Sequence, residues 1–120
     1  MKTILSTVNL EVSDVARSKA FYTSLFGLTE NAERSHEPTF AYLQSETCSI
    51  TLTTPPAQNG VEPSRSIELG FETDELPAFM QRLQELGVDD VNSQTMGWGA
   101  GVELKDPDGH RVIVYSLHRA

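Results

Sequence analysis

The stretch VNLEVSDVARSKAFYTSLFGL, residues 8–28, decides how the chain folds. Val8, Leu10 and Val12 fall on one parity and Thr7, Asn9 and Glu11 on the other, so the segment opens as a strand with one covered face. The period then changes. Ser13-Asp14 offers side-chain oxygens to the unpaired first amides of a helix, and Val15, Ser18, Phe21, Tyr22 and Leu25 recur at spacings of three and four. Gly27 suits the left-handed residue that closes such a helix.

Outward from this core, short strands are expected over 28–34, 40–43 and 49–53, with His36-Glu37-Pro38 separating the first two. Residues 54–65 hold three of the six prolines and no apolar period, which reads as a linker. The pattern then begins again. Ile67, Leu69 and Phe71 alternate, Asp74 stands near a helix start, and Leu76, Phe79, Met80, Leu83 and Leu86 form an apolar stripe that stops at Gly87. Asp14 and Gly27 are thirteen positions apart, as are Asp74 and Gly87, and the two pairs are offset by sixty, half of the 120 residues. Strands over 90–95, 101–105 and 111–117 complete the second copy, with Asp106-Pro107-Asp108-Gly109 turning between the last two.

A βαβββ order met twice implies an α+β fold made by duplication rather than a doubly wound parallel sheet. The expected layout is one domain over 1–120: a first module over about 1–55, a linker over about 56–65 and a second module over about 66–120. Each helix covers one sheet face, leaving a concave, partly open, barrel-like sheet with helices outside.

The composition narrows the partners. Seventeen Asp+Glu against nine Lys+Arg give a formal charge of -8, and the basic residues are scattered, which argues against nucleic acid. A single cysteine, Cys48, excludes an internal disulfide and Cys-rich zinc clusters, and suits a reducing cytoplasm. No apolar run approaches the roughly 20 residues of a membrane helix, and residues 1–7 lack the apolar centre of a secretion signal.

The segments VNLEVSDVARSKAFYTSLFGL, IELGFETDELPAFMQRLQELGV and VELKDPDGHRVIVYSL together resemble the glyoxalase, bleomycin-resistance and extradiol-dioxygenase superfamily, also called the vicinal oxygen chelate fold. The resemblance runs from residue 4 to 117. It implies a homodimer whose grooves bind small organic molecules, and in the family's enzymes a divalent metal held by four His, Glu or Gln side chains, two from each module. Carried over one at a time, those positions are Thr7, seven residues before Asp14; Thr51, on the last strand of the first module; Glu68, nineteen before Gly87; and Ile113, four after Gly109. Isoleucine coordinates nothing, and threonine hydroxyls are poor ligands for first-row metals. The reading is therefore a member without a metal or other cofactor and without catalytic residues, leaning away from an enzyme. A misregistered metal-dependent lyase or dioxygenase of the same superfamily is the alternative.

The ligand-binding candidates are Thr7, Phe40, Tyr42, Thr51, Glu68, Trp98, Ile113 and Tyr115. Glu68 is either a solvated carboxylate, a counter-charge for a cationic ligand or a lone base. Trp98 either stacks on a planar ligand or anchors its own segment, Gly97 to Gly101, where small residues leave backbone and ring room to move as a loop closing the groove. Tyr115 shares strand parity with Ile113 and Arg111 and should face the concavity, whereas Val112 and Val114 should face the helix. His36, His110 and His118 are expected at the surface, and Cys48 as a packing thiol. Aromatics beside a carboxylate in an acidic groove suit a cationic aromatic molecule, an antibiotic among the candidates, held by stacking and cation–π contact.

Overall fold

The computed structural model describes residues 1–54 and 67–117, so the expected linker and His118 lie outside the described residues. The chain divides into two compact units, 1–64 and 65–120. The first contains β1 (Thr7–Glu11), α1 (Val15–Phe26), β2 (Thr29–Glu30), β3 (Phe40–Gln44) and β4 (Ser49–Thr53). The second contains β5 (Glu68–Glu72), α2 (Leu76–Glu85), β6 (Asn92–Met96), β7 (Gly99–Lys105) and β8 (Arg111–Leu117). Each unit is thus βαβββ, and the fold is α+β.

The strand orders are the same: β1-β4-β3-β2 in one four-stranded sheet and β5-β8-β7-β6 in the other, neither closed into a barrel. First and last strands pair in parallel, Asn9 against Thr51 and Gly70 against Ile113, and the remaining pairs are antiparallel. Alternation along the strands sends one parity under the helix. In the first unit Leu10, Ala41, Leu43, Ile50 and Leu52 are buried, as are Val15, Tyr22 and Leu25 of α1, which packs on β3 and β4. In the second, Leu69, Val102, Leu104, Val112 and Val114 are buried with Leu83 of α2, which touches β8. Val112 and Val114 therefore lie on the covered face, as their parity requires.

Several local readings are corrected. The strand expected over 28–34 shrinks to the two residues of β2, because the Asn31 side chain accepts from the Arg34 amide and starts a 3-10 turn over Ala32–Arg34. The second helix, by contrast, begins at Leu76, near Asp74 as expected, with a proline in its first turn and no side-chain cap. β7 begins at Gly99 rather than 101, because Met96 pairs with Gly99 and the hairpin needs only Gly97-Trp98 as its turn. The expected mobile segment is therefore largely strand.

His110 is not at the surface. It is fully buried, its Nδ1 lying 2.7 Å from Asp106 Oδ2, while Asp106 Oδ1 accepts from the amides of Asp108 and His110. The turn residue Asp106, itself buried, thus ties its own loop together, with Gly109 supplying the positive φ of 89°. His36 is exposed, as expected, and caps a tight turn whose ends exchange backbone hydrogen bonds with Phe40.

Candidate functional site

The eight candidates divide four to each unit; seven fall on the sheet faces that the helices leave uncovered, and Trp98 stands in the β6–β7 turn. In the first, Asn9, Thr51 and Tyr42 form a row across β1, β4 and β3. Thr51 is buried and its hydroxyl donates to Asn9 Oδ1 at 2.7 Å. Tyr42 is also buried, and the Arg34 guanidinium lies 4.2 Å over its ring. Thr7 is exposed on β1 one step along the same face, and half-buried Phe40 lies one step along β3.

In the second unit, Glu68, Ile113 and Tyr115 share a face with Arg111, Glu103 and Leu117. At one end Arg111 lies between two carboxylates, 3.0 Å from Glu68 and 3.2 Å from Glu103. The hydrogen bond and charge of Glu103, and then the charge of Glu68, hold its guanidinium above even the ordinary arginine range. At the other end the Trp98 and Tyr115 rings meet edge to face at 5.9 Å. Trp98, Ile113, Tyr115 and Leu117 line an open, wholly apolar hollow of about 340 Å³, within the range that small-molecule sites occupy. Glycines at 70 and 101 stand beside Ile113 and Tyr115 in register, leaving each of these side chains one flank without a side-chain neighbour, while Glu103 and Glu72 stand on the other flanks.

Sequence reasoning placed Thr7, Thr51, Glu68 and Ile113 on these strands but missed what each meets. Asn9, Arg34, Glu103 and Leu117 were passed over, and Arg111 entered only by parity. Strand alternation was the signal that could have found Asn9, Glu103 and Leu117; nothing local marks Arg34, which sits on an irregular turn.

A model of the glyoxalase/bleomycin resistance protein/dioxygenase superfamily matches residues 4–114. The chain belongs to this superfamily. The glutathione transferase FosA of Serratia marcescens is 30% identical over 115 residues, covering 92% of this chain and 79% of that protein. A lactoylglutathione lyase from Agrobacterium tumefaciens superposes with a TM-score of 0.77 at 19% identity, covering 96% of this chain and 94% of that one. A superfamily enzyme from Burkholderia phytofirmans reaches 0.79 at 19% identity, covering 97% and 100%. At such identities the structural matches speak for the fold.

Whether a superfamily metal suits these residues is a question of donors. At the four carried-over positions Thr51 already donates to Asn9, Ile113 has no donor atom, and Glu68 is bonded to Arg111. Among the described residues no three His, Cys, Asp or Glu side chains are grouped so as to hold a metal ion. The donor set does not fit a catalytic divalent metal. No helix among the described residues is long and apolar enough to cross a membrane.

Proposed function

We propose that this member of the superfamily binds a small organic molecule without metal-assisted chemistry. The observation that carries this reading is the pairing of Glu68, the one carboxylate at the four carried-over positions, with Arg111 at 3.0 Å. The ligand face is that of the second unit, where the Trp98–Tyr115 corner offers stacking surface and the hollow around Ile113 and Leu117 accepts an apolar body. A cationic aromatic molecule fits this face and the overall charge of -8, so an antibiotic of that kind, sequestered rather than altered, is the leading ligand class. Trp98, the only tryptophan, reports on it directly. Titration with bleomycin-class and other planar cationic antibiotics should change its fluorescence saturably; a flat response across the panel removes the antibiotic.

A second reading has its own support. The relative from S. marcescens is named a glutathione transferase and the A. tumefaciens structure a lactoylglutathione lyase, which favours an enzyme acting on glutathione or its adducts. Metal analysis separates the two. Stoichiometric nickel, zinc, manganese or iron in protein grown in supplemented medium favours the enzyme, and metal-free protein that still binds its ligand favours sequestration.

A further inference from the structure

Two carboxylates from strands that are not neighbours converge on one guanidinium. Glu68 on β5 and Glu103 on β7 flank β8, and Arg111 on β8 reaches both, Nη2 to Glu68 Oε2 and Nε to Glu103 Oε1. Arg111 is 55% exposed, Glu68 44% and Glu103 28%, so solvent ions reach the cluster from its open side. Take away the guanidinium and two acidic oxygens remain aimed at one position on the open sheet face, an arrangement that attracts a hard divalent cation.

We propose that Arg111 is the resident cation of this face: it occupies the position a divalent ion would take between Glu68 and Glu103, and so excludes metal. This rests on the metal-free reading above and adds its cause. A missing ligand such as Ile113 makes a metal weakly held; a built-in positive charge makes it repelled. It also fixes what a bound molecule meets at this end of the face, since Glu68 and Glu103 are satisfied by Arg111 and leave one net negative charge among the three groups. Lys105 pairs with Arg111 in the β7–β8 register and is the nearest substitute, so a test must remove both.

Manganese suits carboxylate oxygens, and free Mn²⁺ is counted by electron paramagnetic resonance. Wild type and Arg111→Lys should leave Mn²⁺ free. Arg111→Met with Lys105→Met should bind about one ion at least about tenfold more tightly, and adding Glu68→Gln should abolish the gain. If wild type and the double variant are equally silent, the role of Arg111 is overturned while the metal-free reading stands. If wild type retains Mn²⁺ stoichiometrically, the metal-free reading itself falls. Should the double variant not fold, the Arg111 ¹⁵Nε–H signal of the wild type decides: a hindered, slowly exchanging group unchanged by added Mg²⁺ supports the clamp, and a freely rotating one overturns it.

Discussion

Gly99 shows how much a single position can hide. A Cβ there would lie 2.0 Å from the Ser116 carbonyl oxygen and 3.0 Å from Leu117 Cα, so only glycine lets β7 start where it does. Gly99→Ala should cost about 1–3 kcal/mol in urea denaturation, since two paired strands must part to make room. An unchanged midpoint would show that they part freely. In the sequence this glycine looked like freedom, one of several small residues around Trp98, because a cross-strand approach leaves no mark on neighbours in the chain. His110 misled for the same reason. Its place after a turn glycine suggests exposure, and only the carboxylate four residues earlier, folded back by the turn, gives the ring a buried partner. That Thr7, Glu68 and Ile113 lie on strands was legible, because the segments that carry them alternate apolar residues at a period of two. The pairing of Arg111 with Glu68 was not, because it depends on register between β5 and β8, strands far apart in sequence; Glu103, eight residues before Arg111, joins them through the β7–β8 hairpin.

At the level of elements the two helices differ more than their shared spacing suggests. α1 is closed at both ends: Asp14 accepts from the Arg17 amide, and Gly27 adopts a φ of 66° with its amide bonded to Thr23. Four of its residues are buried. α2 lacks a side-chain cap, and Leu83 is its one buried residue. Leu83→Ala should therefore cost about 2–5 kcal/mol, whereas Leu86→Ala, at a half-exposed position, should stay within about 0.5 kcal/mol. Chemical denaturation of both variants measures the contrast, and similar losses would mean the stripe is covered along its whole length. The apolar spacing fixed the extent of this helix well but overstated its burial, since periodicity records which face turns inward and not how completely it is covered. Strands fared similarly. Those over 49–53 and 111–117 lie where their alternation places them, because their neighbours on both sides hold them in line, while the edge strands β2 and β6 are shortened or shifted by turns at their ends.

For the molecule as a whole, open sheet edges and net charge act against each other. β1, β2, β5 and β6 end their sheets, leaving backbone groups that favour pairing with another chain, whereas a charge of -8 keeps like chains apart. A homodimer is the expected balance. Sedimentation equilibrium should give twice the mass of one chain, with a dimer that tightens as salt screens the repulsion; a monomer at every salt concentration would sink it.

The parallel pairings of first with last strand set the order of assembly in time. Among the described residues β1 pairs with β4 alone, and β5 with β8 alone, each about forty residues further along the chain, so every sheet contains one long loop that must close before its edge strand is held. Such contacts are slow to form and leave the waiting strand bare while they do. During synthesis β1 stays unpaired until residues 49–53 have emerged, and β5 stays unpaired until residues 111–117 follow. Each half of the duplication thus repeats the same delay, and the vulnerable intermediate in each is its opening strand, the one that carries Thr7 in the first half and Glu68 in the second.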